Sequence, residues 1–445
     1  MRRKAYVHTF GCQMNEYDSA RMMGLLETSG YEHAESPETA DLIIVNTCSV
    51  REKAEQKVYS LLGRLKKHKI KRGTKIAVGG CVAQQLGEGI FTRAPHVDIV
   101  FGTHNIDSLP DLLREAEDGK RSVSGLEVFE IPSTFSGDQY LSEGRVKAYV
   151  TIMQGCDNYC TYCIVPLVRG REYSRPREDI LREIRSLSKR GVREVTLLGQ
   201  NVNSFGKKNG GTSFTDLLGE VCRVEGIERV RFVTSHPMDF SDELIYAFGE
   251  NEKLCSHVHL PAQSGSDRVL RMMNRRYTRD HYLSIIGKLQ KVRPDMSYSS
   301  DFIVGFPGEK DKDFEKTLEL MREVGYDTTY SFKFSPRPGT AAEKLDGRVE
   351  ESVVRRRLME LQALQKKITG VNYGKMVGKK VKVLVEGISK TDDNKYTGRT
   401  ACNKIVNFDA GPDERGKIVM VTINDALAHS LTGSIENGGS RDERS

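Results

Sequence analysis

Between Lys147 and Phe334 the sequence repeats one unit six times, a short β-forming run followed by an amphipathic stretch with apolar positions at helical spacing. The strand runs are Lys147 to Met153, Glu194 to Leu198, Arg229 to Thr234, His257 to Leu260, Ser299 to Val304 and Thr329 to Phe334. Strands alternating with helices build a parallel sheet, and six units fall short of the eight that close a TIM barrel. The expected fold class is therefore α/β, with a central incomplete (β/α)6 TIM-like barrel whose active end lies at the carboxyl ends of its strands. The first hundred residues alternate in the same way. Runs at Ala5 to Phe10, Leu42 to Thr47, Lys75 to Val78 and Val97 to Phe101 each lead into a helical pattern. They predict an N-terminal doubly wound parallel-sheet domain over residues 1–120. From Asp118 to about Arg145 Gly, Ser, Asp and Pro replace the periodicity, as in a linker, so the central domain is placed at 140–372.

Near its end, Val354, Leu358, Leu361, Leu364 and Ile368 recur at helical spacing and predict a connecting helix. Beyond it, Lys380 to Glu386, Lys395 to Thr400 and Lys417 to Thr422 alternate apolar and polar residues around Gly387, Gly398 and Gly411. That pattern predicts a small C-terminal antiparallel β-barrel over 373–437, and the tail after Glu436 reads as disordered. The 445 residues carry 29% charged and 38% hydrophobic side chains, ordinary for a globular chain. No apolar run approaches the roughly 20 residues that span a bilayer. The start of the chain reads as strand rather than signal peptide, so the expected location is cytoplasmic with reduced thiols and no membrane partner. A net charge of +7 is compatible with a polyanionic partner.

Cys156, Cys160 and Cys163 form a CxxxCxxC just past the first barrel strand. Zinc normally recruits four protein ligands, whereas a 4Fe-4S cluster held by three cysteines leaves one iron open to a small molecule. A zinc knuckle lacking its fourth ligand and a Cys160-x-x-Cys163 redox pair are the plainer readings. Cys12, Cys48 and Cys81 are far apart in sequence, yet each ends a predicted parallel strand, where doubly wound sheets place their ligands. Three thiolates gathered there could hold a second cluster, also with an open iron. Cys222, Cys255 and Cys402 share no spacing and read as packing residues. Two such clusters would pair a radical generator with a sulfur-holding site, which points to sulfur insertion.

The CxxxCxxC after a first barrel strand resembles the radical S-adenosylmethionine (SAM) enzymes. In that superfamily the open iron binds the amino and carboxylate groups of SAM, whose reductive cleavage gives a 5'-deoxyadenosyl radical. The resemblance places the SAM-holding residues at Gln200, Asn203, Ser235, His236, Gly305 and Phe306, with turn chemistry as the plain alternative for each. Gly11-Cys12-Gln13-Met14-Asn15, Thr47-Cys48-Ser49-Val50-Arg51-Glu52, Gly80-Cys81-Val82-Ala83-Gln84, Cys163-Ile164-Val165-Pro166 and Arg169-Gly170-Arg171-Glu172 resemble the methylthiotransferases, and specifically the MiaB-type branch that acts on tRNA. That resemblance implies two 4Fe-4S clusters and two SAM molecules per turnover, adding a methylthio group to N6-isopentenyladenosine at position 37. It assigns the transferred sulfur to the cluster of Cys12, Cys48 and Cys81, and no catalytic role to a protein side chain. Its other members act on N6-threonylcarbamoyladenosine or on a ribosomal-protein aspartate. The C-terminal barrel resembles the TRAM RNA-binding module, and Lys379, Lys380, Lys382, Lys390, Lys395, Arg399 and Lys404 form a footprint for phosphates of a tRNA anticodon stem-loop. Arg268, Arg275, Arg276 and Tyr277 are platforms on which an unstacked base could rest, and His259 reads as structural. A flavodoxin-type electron donor and iron-sulfur supply proteins are the implied partners. A non-catalytic iron-sulfur RNA-binding or electron-transfer protein is the rival of a different class. A zinc-dependent RNA deaminase lacks its His-x-Glu and Pro-Cys-x-x-Cys pairing.

Overall fold

A computed structural model describes residues 2–49, 54–128, 140–141, 144–208, 211–390 and 392–435. Val50, Arg51 and Glu52 of the second cysteine motif, most of the expected linker and the tail from Glu436 lie outside the described residues. The N-terminal domain is one parallel sheet of β1 (Arg3–Thr9), β2 (Tyr31–His33), β3 (Leu42–Thr47), β4 (Lys75–Gly80), β5 (Ile99–Phe101) and β6 (Val123–Gly125), ordered β2-β1-β3-β4-β5-β6. β3 is buried along its whole length, as its continuous apolar run requires for a strand covered by helices on both faces. Two strands differ from expectation. β2 and β6 span three residues each, too short for periodicity to register, and β6 lies inside the stretch read as linker, pairing with β5. The chain winds outward from β1 in both directions, so the β1/β3 gap is a topological switch point, with the carboxyl ends of β1, β3 and β4 side by side.

The central domain has β7 (Lys147–Thr151), a small antiparallel pair β8 (Met153–Gln154) and β9 (Tyr173–Ser174), then β10 (Glu194–Leu198), β11 (Arg229–Phe232), β12 (His257–His259), β13 (Ser297–Val304) and β14 (Thr328–Lys333). Two parallel half-sheets, β7-β10-β11 and β12-β13-β14, are joined by a single bridge between Val230 and Leu254. Alternation sorts the strand residues. Val150, Val195, Val230, Val258 and Phe302 enter the core beneath the helices, while His259 and Asp301 pair on the opposite, inner face. The barrel stays open between β7 and β14. Against the inner side of β7 and β10, the first helix of the N-terminal domain (Gln13–Thr28) inserts Met14 and Tyr17, which pack on Leu198 beside Tyr149 and Val233.

The predicted connecting helix spans Glu351–Gly374 and leads to a closed barrel of β15 (Lys380–Ile388), β16 (Tyr396–Thr400), β17 (Ile405–Asp409), β18 (Ile418–Ala426) and β19 (Leu431–Ile435). The barrel is antiparallel as expected except at one pair: β17 and β19 run parallel, because β19 closes the barrel by entering between β17 and β18. This module covers the amino ends of the central strands, opposite the cysteine loop. Arg231 bonds the carbonyls of Thr400 (2.7 Å) and Ala401 (2.9 Å), Arg229 bonds those of Lys382 (3.0 Å) and Arg399, and Lys147 pairs with Glu386 at 2.7 Å. Arg231 is also neutralised by Glu194 at 3.0 Å, with both side chains at most 6% exposed. No described helix is long and apolar enough to cross a membrane.

Removing one partner of such a buried pair leaves an uncompensated charge. Glu194→Ala is therefore expected to destabilise the protein by about 3–5 kcal/mol, measured as a lower urea midpoint with an unchanged m-value; a shift within experimental error would show that the pair does not hold the junction.

Candidate active site

The loop after β8 carries Cys156, Cys160 and Cys163, all partly accessible. It is held at several points. Gln200 at the end of β10 accepts the Gly155 N–H at 2.6 Å, Thr161 N–H donates to the Met273 carbonyl at 3.1 Å, and Asn274 donates to the carbonyl of Tyr159 at 3.0 Å. Arg275, buried, lies 3.6 Å from Cys160 Sγ and donates to the Pro261 carbonyl at 2.8 Å. Burial pushes the Cys156 thiol up to about 11 and the Cys163 thiol up to about 12, so without a metal both are neutral at physiological pH. Among the described residues no three His, Cys, Asp or Glu side chains close around a single metal ion. A three-cysteine donor set leaves one corner open, which fits a 4Fe-4S cluster better than a four-ligand zinc knuckle.

The neighbouring strand ends hold polar groups without partners among the described residues. Ser235 Oγ and His236 Nε2, after β11, and Gln154 Nε2, on β8, are buried and unbonded. Buried polar atoms are ordinarily paired, so this is the environment expected of a site for a polar ligand. Burial, with Arg275, Arg276 and Lys207 nearby, holds His236 down at about 2, so its ring is neutral. Asn203 is fully engaged with the His236 backbone, accepting its N–H at 3.0 Å and donating to its carbonyl at 3.1 Å, and serves that turn. Phe306 is 0% exposed, in an apolar cluster with Val269, Met273 and Ala342, against Tyr162 and Phe334. The N–H of Gly305 is taken by Glu309 at 2.7 Å.

At the switch point of the N-terminal sheet, Cys12 follows β1, Cys48 follows β3 and Cys81 opens the helix Cys81–Leu86 after β4. Their approach is steric. Gly11 has φ +116°, and a Cβ there would sit 2.8 Å from Cys48 Sγ; Gly80 has φ +91°, and a Cβ would sit 2.5 Å from the Thr47 carbonyl. A hydrogen bond with Cys48, opposed by burial and helped by the Arg169 charge and by the amides of Asn15 and Met14, brings the Cys12 thiol down to about 6. Burial instead raises Cys81, against Arg169.

Arg169 comes from the other domain. It ends the short helix Val165–Arg169 that starts two residues after Cys163, and Cys81 packs on Ile164 and Val168 of the same segment. Its guanidinium bonds Asp18 at 2.8 Å, with both side chains 5% exposed. Burial opposes that charge, but Asp18, Cys81 and Cys12 more than offset it, so Arg169 stays protonated. Six residues of backbone thus join one cysteine set to the other.

Comparison with known proteins decides the assignment. Residues 4–102 match Uncharacterized protein family UPF0004, residues 150–321 the Radical SAM superfamily and residues 374–435 the TRAM domain. A tRNA-2-methylthio-N(6)-dimethylallyladenosine synthase of Syntrophus aciditrophicus is 52% identical over 97% of this chain and 94% of its own length. The synthase of the same name from Geobacter metallireducens is 50% identical over 97% of this chain and 98% of its own length. The chain belongs to this synthase family. Among solved structures, a radical SAM methyltransferase from Kitasatospora setae superposes with a TM-score of 0.58 at 13% identity, covering 74% of this chain and 73% of its own, which establishes the shared fold.

The inner face of the partial barrel holds what sequence reading of this synthase-family chain missed. His259 Nδ1 meets Ser299 Oγ at 2.9 Å and its Nε2 lies 3.5 Å from Asp301 Oδ2. Tyr330, in register with Asp301 on β14, sets its ring edge-to-face with His259 at 6.0 Å and is 53% exposed. Two residues on, Phe332 points the same way and is 36% exposed. The expected platforms are elsewhere engaged: Tyr277 and Arg275 are buried, and Arg268 is ion-paired with Asp313, which leaves Arg276 exposed. On the C-terminal barrel Arg399 pairs with Glu386 at 3.3 Å, and Lys404 is buried against Asp327 at 2.7 Å; Lys379, Lys380, Lys382 and Lys390 are exposed and Lys395 half-buried.

Thiolates, not thiols, react with iodoacetamide. In iron-stripped protein Cys12 is expected to label with a midpoint near pH 6, and Cys156 and Cys163 only near pH 11 and 12. Peptide mass spectrometry across a pH series reads the midpoints, and a common value near that of free cysteine would refute this electrostatic picture.

Proposed function

We infer that this protein methylthiolates tRNA, converting N6-isopentenyladenosine at position 37, the dimethylallyladenosine of its relatives' name, to the 2-methylthio derivative. The observation that carries the reading is the pair of three-cysteine sets, one at each end of the Cys163–Arg169 segment, in a chain about half identical to synthases of that name. When bound, two 4Fe-4S clusters and SAM supply the radical and methyl-transfer chemistry. Cys156, Cys160 and Cys163 would hold the cluster at which SAM is cleaved, and Cys12, Cys48 and Cys81 the one that carries the sulfur.

The chain's own residues then position and enclose. Gln200 fixes the Gly155 turn that starts the cysteine loop. The unbonded Gln154 Nε2, Ser235 Oγ and His236 Nε2 offer hydrogen bonds to the polar parts of SAM, and neutral His236, whose Nδ1 accepts the Met238 N–H, presents Nε2–H as a donor without adding charge. Arg169 supplies a fixed positive charge beside Cys12 and Cys81, suited to anionic sulfur. Tyr330 and Phe332 offer ring faces to a base turned out of its stack. Lys379, Lys380, Lys382 and Lys395 would meet phosphates of the anticodon stem-loop. A low-potential donor of flavodoxin type and iron-sulfur supply proteins complete the system in the cytoplasm.

Anaerobically reconstituted protein with SAM, dithionite and tRNA bearing N6-isopentenyladenosine is expected to yield the 2-methylthio nucleoside, read by mass spectrometry. Formation of 5'-deoxyadenosine without that product would redirect the substrate to threonylcarbamoyladenosine or a ribosomal protein, and absence of both from protein with two clusters would overturn the enzymatic reading. Alanine at Cys156, Cys160 or Cys163 is expected to abolish 5'-deoxyadenosine; alanine at Cys12, Cys48 or Cys81 should spare it and stop methylthiolation. Equal loss of cleavage in both sets would refute the division of labour.

Base-on-aromatic stacking contributes about 1–3 kcal/mol per base. Tyr330→Ala is accordingly expected to raise the KM for tRNA at least fivefold while leaving tRNA-independent SAM cleavage unchanged; equal losses in both assays would place Tyr330 in the scaffold instead.

A further inference from the structure

The chain's net charge is +7, and one helix accounts for nearly all of it. Ala54–Arg72 carries Lys57, Arg64, Lys66, Lys67, Lys69, Lys71 and Arg72 against Glu55 alone, seven positive and one negative, or +6 with His68 neutral. Val58, Leu61, Leu62, Leu65 and His68 are buried and fasten the helix to its domain. Its ion pairs use Lys69 with Asp98, Arg72 with Asp41, Glu55 with Arg93, and His68 beside Glu38. Lys57, Arg64, Lys66, Lys67 and Lys71 are exposed and have no ion-pair partner within 4 Å among the described residues.

Four of these five share one flank. Positions 57, 64, 67 and 71 recur at intervals of seven, three and four, which places them in a single stripe on an α-helix. Like charges at such spacing repel by a few tenths of a kcal/mol per pair, and an ordinary solvated face intersperses both signs. A one-sign stripe is the arrangement that attracts a polyanion. Its placement is also informative. The helix follows β3, whose carboxyl end presents Cys48, so it starts at the cysteine edge and returns along the sheet for about 28 Å.

We propose that this stripe grips the sugar-phosphate backbone of the tRNA stem next to the modified base, a second RNA-binding surface on the N-terminal domain, separate from the C-terminal barrel. The proposal rests on the tRNA reading given above. A stem rooted at the cysteine edge would run alongside the stripe, and contacts of this kind position without reading sequence.

The test compares the reconstituted holoenzyme with its Lys57→Gln/Arg64→Gln/Lys67→Gln/Lys71→Gln variant, using fluorescence anisotropy of labelled full-length tRNA between about 50 and about 300 mM KCl. Each phosphate contact contributes about 0.9 to the slope of log affinity against log salt. The variant's slope is expected to flatten by about 3 to 4, with an unchanged circular dichroism melt and unchanged tRNA-independent SAM cleavage. Replacing the three lysines by arginine should keep the original slope. If the unsubstituted enzyme modifies tRNA and the folded variant keeps its slope, the grip is refuted and the tRNA reading stands. If the unsubstituted protein does not bind tRNA, both fall. Loss of binding to anionic phospholipid vesicles with an unchanged tRNA slope would also overturn the proposal, assigning the stripe to a membrane surface.

Discussion

Arg169 and Asp18 are the contact on which the rest of this architecture depends. One lies on the segment leaving the CxxxCxxC loop, the other on the helix that begins at Cys12, and they meet at 2.8 Å out of reach of water. A buried pair adds little net stability over apolar packing, but losing either partner is costly, so its effect is to fix geometry. Here it fixes the two cysteine sets relative to one another. Thr103 Oγ1 donates to the Val168 carbonyl at 2.6 Å, and Cys81 packs on Val168, so the same short segment is clamped from two strand ends of the N-terminal sheet. Chemistry that makes a radical at one set and delivers sulfur from the other needs that separation held constant.

The opening of the barrel serves the same end. Eight strands would close it around side chains alone, whereas six leave a side through which a macromolecular substrate can reach the inner face. The N-terminal helix enters part of that opening with Met14 and Tyr17, bringing Cys12 along as the residue just before it. The C-terminal barrel sits at the amino ends of the strands, held by Arg229, Arg231 and Lys147. It closes that end and leaves the cysteine end free.

Much of this was legible in the sequence because strand ends carry signatures. Cys12, Cys48 and Cys81 each follow a β run, and parallel strands necessarily gather their carboxyl ends, so the triad followed from topology without any local spacing. Contacts across long sequence separations were not legible. Arg275 and Tyr277 read as surface residues, yet Arg275 turns inward to Cys160 and Pro261. Arg399 and Lys404 look like phosphate ligands until Glu386 and Asp327 are found beside them. Nothing in the local pattern of Tyr330 distinguishes it from a packing aromatic. Its meaning comes from a half-sheet with no neighbour beyond β14, which leaves the inner ring exposed. The parallel β17–β19 pair was missed for a related reason, since pairing direction is a property of the closed barrel and not of either strand.

The electrostatics of the two triads differ in a way their roles require. Cys156 and Cys163 are desolvated with little positive charge to help them ionise, so iron itself must drive their deprotonation. Cys12 is exposed at a helix start, where a hydrogen bond with Cys48, and then Arg169 and amide N–H groups, draw its proton away before any metal arrives. A site that gives up sulfur and must be refilled needs access and a standing positive field more than it needs enclosure. The sheet edge supplies the access, and the barrel domain supplies the field through a single arginine. The site of Cys12, Cys48 and Cys81 is therefore complete only when both domains are present, although all three cysteines lie in one of them.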